Sequence, residues 1–270
     1  MSTHSIREMC LYLEEIAPLS TQESYDNSGL LIGKEDAAIT GILTCLDCTE
    51  KVIQEALELG VNTIVCHHPI IFNPLKRLTY QNYTERIVAK ALKNNLNIYA
   101  IHTNLDHYLI DGVNTKIAKK LNLQELEALA PLPGGFDSNS FGAGIIGNLR
   151  EPMKTNIFLD FLYQEMQTPL IRHTSIVKEW IGRVAICGGS GSFLFPQALK
   201  KGADIFVTSD YKYHQFFDAD NEIIIADIGH YESEQFTIEL LHEILSRKFN
   251  NFAVYSTKIN TNPVQYFFKA

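Results

Sequence analysis

Several things are scarce in this chain of 270 residues, and each scarcity excludes something. No run reaches the roughly 18 uncharged apolar residues that a membrane-crossing helix needs. Basic residues are the minority, 23 Lys and Arg against 31 Asp and Glu, for a net charge of −8 with His neutral. A general nucleic-acid binder or a protein of anionic membrane surfaces usually shows the opposite balance. A local basic patch from Lys200, Lys201, Arg247 and Lys248 is the only counterweight. Cysteines number five, an odd and sparse set, so a disulfide framework is not expected and a reducing compartment is. Met1–Leu19, with Arg7, Glu8, Glu14 and Glu15 inside it, reads as an amphipathic helix and not as a leader peptide. A cytoplasmic protein is the expectation.

What is present is a globular composition, 46% apolar and 20% charged, in a length that allows one large domain or two small ones. The apolar pattern alternates between strand-like runs and helix-like periods. Gly41–Leu46 reads as a strand, Glu50–Leu59 as a helix capped by Thr49 and stopped by Gly60, and Val61–Cys66 as the next strand. That unit predicts a parallel sheet. Further helices are expected over Thr84–Asn94, Asp111–Leu121, Lys154–Gln164, Phe193–Lys201 and Glu232–Phe249. Strands are expected over Asn97–Ile101, Phe141–Leu149, Gly182–Cys187, Asp204–Thr208 and Ile223–Ile228. The class is α/β.

The two halves share a pattern. The spacings of Cys45, Ala56, Gly60 and Val65 recur in Cys187, Ala198, Gly202 and Val207. Each half later has a histidine with a carboxylate four residues on, His102 with Asp106 and His230 with Glu234. The expectation is one unit of two quasi-repeated α/β halves, approximately 1–130 and 138–270, with mostly parallel sheets. The linker around Pro131-Leu132-Pro133-Gly134-Gly135 is too short for an inserted mid-chain domain.

Chemistry-bearing residues gather where predicted strands stop, the usual ligand edge of an α/β sheet. His67-His68-Pro69 ends one strand, His102-Thr103-Asn104-Leu105-Asp106 another, and Gly229-His230 with Ser233-Glu234 a third. Neighbouring side chains on an extended segment face opposite ways, so His67 and His68 can share a site only if the chain turns there. His230 and Glu234 fall on one face of a helix. Imidazole with carboxylate suits a borderline or hard divalent ion, and a set this large exceeds the needs of one tetrahedral ion. The loop of Gly189, Ser190 and Gly191 admits two readings, a phosphate cradle or a tight strand–helix turn. Cys45 and Cys48 have redox-motif spacing but read as buried thiols. Trp180 and the tail Tyr266-Phe267-Phe268 read as core or subunit contacts. His4, His107, His173 and His242 lack any partner pattern.

In their order, Tyr25-Asp26-Asn27-Ser28-Gly29-Leu30-Leu31-Ile32-Gly33, Leu46-Asp47-Cys48-Thr49, His67-His68-Pro69, His102-Thr103-Asn104-Leu105-Asp106, Thr208-Ser209-Asp210 with His214, and Gly229-His230 with Ser233-Glu234 resemble the Nif-three-like family, the GTP cyclohydrolase I type 2 homologues. The resemblance implies a Nif-three-like fold with a metal site in the cleft between the halves, two divalent metal ions per chain, and a homohexamer. It assigns the ligands to His67, His68, Asp106, His230 and Glu234, with Glu234 or Asp106 bridging. His102 falls to a supporting or substrate-contacting role, and His214 to proton transfer or to a plain surface position. Zinc, iron or manganese fits better than magnesium, given the imidazoles. The implied function is a metal-dependent hydrolase of a nucleotide or similar small molecule. The alternative is a non-catalytic metal-binding or regulatory interaction protein.

Overall fold

The computed structural model describes residues 4–267. It is α/β throughout, as expected, and forms two compact units. The first takes the residues up to Leu105 together with Thr237–Pro263. The second takes Asp106–Phe236 and the chain from Val264 on.

In chain order the first unit holds α1 (Ile6–Ile16), β1 (Gly29–Ile32), β2 (Ile42–Asp47), α2 (Glu50–Glu58), β3 (Thr63–His68), α3 (Tyr83–Lys93) and β4 (Asn97–Ala100). The short α4 (Thr103–Asp106) carries the chain to the second unit. That unit contains α5 (Val113–Lys120), β5 (Leu123–Pro131), β6 (Gly142–Lys154), α6 (Thr155–Met166), β7 (Arg172–His173), β8 (Trp180–Ser190), α7 (Phe195–Lys200), β9 (Ile205–Ser209), β10 (Ile224–Asp227) and α8 (His230–Glu234). The chain then returns to the first unit as α9 (Thr237–Lys248) and β11 (Val254–Ser256).

The first sheet has the order β1-β4-β3-β2-β11. β11, β2, β3 and β4 are mutually parallel, and β1 runs antiparallel to β4. The central strands are buried along nearly their whole length, as strands covered on both faces must be. Leu43, Cys45, Ile64, Cys66 and Ile98 pack with Val52, Ile53 and Ala56 of α2 and Ile87, Val88 and Ala91 of α3. On the other face, Thr44 donates to the carbonyl of Ile238 in α9, and Tyr12 of α1 to that of Ile244. Thr49 caps α2 by accepting from the Val52 N–H, and Gly60 follows the helix with φ +69°, as the sequence predicts.

The second sheet has the order β5-β6-β8-β9-β10-β7. β8, β9 and β10 are parallel; the β5–β6, β6–β8 and β10–β7 pairs are antiparallel. The predicted parallel core is therefore there, extended by a hairpin of which the apolar pattern announces β6, over Phe141–Leu149, but not β5. β5 carries Gln124, Glu125 and Glu127 on exposed positions, so it lacks the alternation that marks a strand. The Pro/Gly segment after Pro131 is the β5–β6 connection. The expected long helix Glu232–Phe249 is two helices, α8 and α9, parted at Gln235-Phe236. No proline or glycine marks that break. The Gln235 N–H still donates to the Tyr231 carbonyl, while its side chain donates to the Met166 carbonyl.

All five cysteines are free and buried, as read for Cys45 and Cys48. Trp180 is half exposed and Phe267 exposed, so neither belongs to the core of its unit, and Phe268 lies outside the described residues. Among the described residues no helix is long and apolar enough to cross a membrane.

Candidate metal centre

In the first unit, three histidines converge at the C-terminal end of the sheet. β3 stays extended through His68, yet the His67 and His68 rings lie 5.0 Å apart, centroid to centroid. His102, just beyond β4, closes the group at 5.2 Å from His67 and 5.3 Å from His68. One ring nitrogen of each lies within 4.8 Å of the others, a group that could hold a metal ion.

Each of these rings is oriented through Nδ1. His67 Nδ1 meets the Ile101 carbonyl at 2.8 Å, His68 Nδ1 meets Asp47 Oδ1 at 2.7 Å, and His102 Nδ1 meets Asp26 Oδ1 at 2.8 Å. A carbonyl or carboxylate oxygen only accepts, so each Nδ1 carries the proton and Nε2 is left as the donor atom for a ligand. The orienting carboxylates are themselves held. Asp47 Oδ2 accepts from Thr261 Oγ1 at 2.6 Å. Asp26 accepts from the Thr103 N–H and hydroxyl and from the Asn27 N–H. Burial alone would raise the Asp26 pKa, but the His102 and Thr103 bonds hold it well below the usual carboxylate range.

In the second unit, α8 begins at His230 and ends at Glu234, so the two stand one helical turn apart. His230 Nε2 lies 3.0 Å from Glu234 Oε2, and His230 Nδ1 lies 2.7 Å from Asp210 Oδ2. Burial would lower the His230 pKa, but the Glu234 and Asp210 carboxylates more than offset it and push the ring up to about 11. Glu234 is buried, and the Gly-rich stretch makes the space for it. A Cβ on Gly189, whose φ is +64°, would come within 2.3 Å of Glu234 Oε1. The Gly189 N–H donates to Ser233 Oγ at 2.9 Å, and its carbonyl accepts from Ser209 Oγ at 2.6 Å. Asp106 ends α4, and its carbonyl accepts from Asn114 Nδ2 at 3.0 Å. Burial, with the charges of Asp106 and Glu234, drives the Cys187 thiol pKa upward.

These donors suit a divalent cation. Neutral imidazoles with Nδ1 anchored to oxygen are the usual form of histidine ligands, with the anchoring oxygen fixing tautomer and ring plane. At His230 an imidazole nitrogen and a buried carboxylate oxygen face each other at 3.0 Å, and a metal bound by such a pair would displace the proton they share. His214 lies on the 3₁₀ segment Tyr213–Ala219 of the same unit. It is exposed and packs with Tyr213 and Phe217. Sequence reasoning quoted Asp26, Asp47 and Asp210 inside motifs but gave them no orienting role. The signal is long-range, since only the strand register sets Asp47 opposite His68.

Comparison with known proteins gives the chain its relatives. A Lactococcus lactis protein named GTP cyclohydrolase 1 type 2 homolog is 33% identical, over 96% of this chain and 98% of its own. A Staphylococcus epidermidis protein of the same name is 29% identical, over 97% of this chain and 99% of its own. That alignment runs to 365 positions, of which this chain fills about 0.97 × 270 = 262, so roughly 100 positions have no counterpart here. The crystal structure of a Staphylococcus aureus hypothetical protein superposes with a TM-score of 0.91 at 33% identity, covering 98% of this chain and all of that one. The model of the Duf34/NIF3 (NGG1p interacting factor 3) family matches residues 4–263, and the chain belongs to that family.

Proposed function

We propose that this protein binds two divalent metal ions through His67, His68, Asp106, His230 and Glu234 and hydrolyses a nucleotide or similar small molecule. The observation that carries the metal reading is the common fixing of Nδ1. His67, His68 and His230 each give that nitrogen to an oxygen acceptor, which fixes the ring plane and makes Nε2 the atom a metal would take; in His230 that atom already faces Glu234 Oε2 at 3.0 Å. A solvated surface histidine has no need of a dedicated carboxylate. The resemblance of the ordered motifs supports the five-residue set, and the donor types favour zinc, iron or manganese over magnesium.

Bound there, divalent ions would supply Lewis acidity and activate water for attack. The chain's own residues have definable tasks. Asp47 and Asp210 hold their imidazoles in one tautomer. Gly189 leaves the buried Glu234 carboxylate its place. His102, fixed by Asp26, offers a hydrogen-bond acceptor beside His67 and His68. The name of the relatives supports a purine nucleotide as substrate, and the resemblance supports a hexamer.

A second reading, a metal-binding partner without turnover, draws on the family description, which names an interacting factor. Metal content by mass spectrometry on wild type and Glu234→Ala tests the first claim. Two ions per chain, reduced in the variant, are expected. Near-zero metal in wild type after loading and desalting would sink the metal centre. A nucleotide hydrolysis screen of the loaded protein, with His68→Ala as control, then separates turnover from binding alone.

A further inference from the structure

The second unit contains a cavity of about 580 Å³ bordered by β7, the turn at Asp220-Asn221 and the 3₁₀ segment Tyr213–Ala219. None of the proposed metal ligands lines it. The volume lies in the range of small-molecule sites. Its lining combines features that core packing does not require. Tyr213 and Phe217 are 74% and 67% exposed, yet their rings meet edge to face at 5.6 Å. Two large rings left in water beside a cavity offer stacking surface without further rearrangement.

Arg172 supplies the polar part. Its Nη2 donates to the Tyr211 carbonyl at 3.1 Å and to the Asp227 carboxylate. Its guanidinium lies 5.5 Å from the centroid of Phe216. Asp227 is buried and also accepts from the N–H groups of Tyr211 and Gly229. The guanidinium is thus planted, while Nε and Nη1 have no hydrogen-bond partner among the described residues. Asp220 and Asn221 hold positive φ values of 40° and 59°, and neither side chain is hydrogen-bonded to a described residue. Unengaged donors on Arg172 and unengaged acceptors on Asp220 and Asn221 therefore share one aromatic-walled cavity. An inorganic anion would use only the guanidinium and would meet the Asp220 carboxylate. A planar heterocycle with both acceptor and N–H positions on its edge would use all of them, since a guanidinium pairs with adjacent ring acceptors and a carboxylate accepts from ring N–H groups.

We infer that this cavity binds a planar heteroaromatic base, stacked on the face of one of the two perpendicular rings of Tyr213 and Phe217, held at its edge by the other, and hydrogen-bonded by Arg172 and Asp220. The inference rests on the proposed nucleotide-class substrate for its part in turnover, but base binding itself needs no metal. Asp227 joins the cavity to the metal residues of the same unit, because it holds both Arg172 and the Gly229 N–H just before His230.

The test uses full-length protein stripped with EDTA and saturation-transfer NMR with guanosine, adenosine and ribose 5-phosphate. Saturation of base protons is expected for a nucleoside and no transfer for ribose 5-phosphate. Phe217→Ala and Tyr213→Ala, both at exposed positions, should weaken nucleoside binding about tenfold, while Ile157→Ala, an exposed apolar position outside the lining, should leave it unchanged. Absent base-proton transfer up to millimolar nucleoside overturns the inference. So does transfer that survives both aromatic substitutions, or equal binding of ribose 5-phosphate. If the aromatic variants alter only the assembly mass, the surface is a subunit contact and the inference is also wrong. Metal content is measured separately, so loss of the metal reading and loss of the base site are told apart.

Discussion

The two units begin their helices differently. In the first, Ser5, Thr49 and Asn82 each cap a helix with the side chain, and Ser5 forms a reciprocal capping box with Glu8. In the second, α5, α6, α7 and α8 follow Gly112, Lys154, Leu194 and Gly229, none of which makes a side-chain cap bond. Local sequence thus punctuates the first unit, whereas tertiary contacts fix the starts in the second. The histidines follow no such divide. His68 leans on Asp47 in one unit and His230 on Asp210 in the other, so the same orienting device recurs where local punctuation does not.

The sharpest way to break that comparison is to attack the glycines that follow equivalent helices. Gly60 and Gly202 both hold positive φ, +69° and +71°, with open space where a Cβ would stand. Alanine at either should cost about 1 kcal/mol, from backbone conformation alone. Gly189→Ala meets both positive φ and the Glu234 carboxylate. It should cost about 1–3 kcal/mol from the backbone, and, by displacing Glu234, remove most bound metal. Urea denaturation of the metal-free variants, beside metal content, reads both effects. A Gly189→Ala protein that melts and loads like Gly202→Ala would refute the role given to this loop.

The next largest effect sharpens the shared device. Asp47→Asn and Asp210→Asn should each weaken metal binding about 10–100-fold, measured by competition with a chelator, with the fold retained by circular dichroism. Asp26→Asn, acting through His102, should change it much less. An equal loss in Asp26→Asn would make His102 a ligand in its own right.

Thiols give a readout of each unit by itself. Cys10, Cys45, Cys48 and Cys66 belong to the first unit and Cys187 to the second. Burial, with nearby negative charge, pushes Cys10 and Cys48 up to about 12. The folded state therefore favours the neutral thiol. That contribution is fully present below about pH 9, the unfolded value, and fades as pH rises toward 12. Native protein at pH 8 should resist alkylation at all five sites. Peptide mapping in rising urea should then report opening of each unit separately. Rapid labelling of Cys45 or Cys48 in native protein would contradict their burial.

How much of this was legible follows from the same contrast. The predicted Glu50–Leu59 and Thr84–Asn94 agree to within a residue with α2 and α3; Thr49, read as the cap of the first, caps it in the structure, and Asn82 caps the second. The predicted Phe193–Lys201 is a 3₁₀ turn followed by a six-residue helix, and Glu232–Phe249 is broken. Pro196 in the first turn of α7 is a local mark of the first event, nothing local marks the second, and apolar periodicity continues across both. The histidines and the His230–Glu234 pair were visible as strand-end clusters and as a helical spacing. Their orienting carboxylates were not. Asp26 lies 76 residues from His102 and Asp47 lies 21 from His68, distances that only sheet assembly closes. The exposed charges of β5 hid that strand for a different reason, since its partners supply the burial its own pattern lacks.

The smallest effects test the capping contrast itself. Ser5→Ala removes the acceptor for the Glu8 N–H and half of a capping box, and should destabilise by about 1 kcal/mol. At the start of α5, Gly112 has φ −106° and ψ −174°, an extended conformation that serine adopts freely. Gly112→Ser can therefore add a cap without strain, for a gain of only a few tenths of a kcal/mol, because glycine is already a tolerable N-cap. Urea midpoints with unchanged slopes would measure both. If Gly112→Ser stabilises as much as Ser5→Ala destabilises, the start of α5 is set by the local cap after all. If it gains nothing, the contacts of Val113 and Ile117 in the buried face of α5 already hold that turn as firmly as Ser5 holds the first turn of α1.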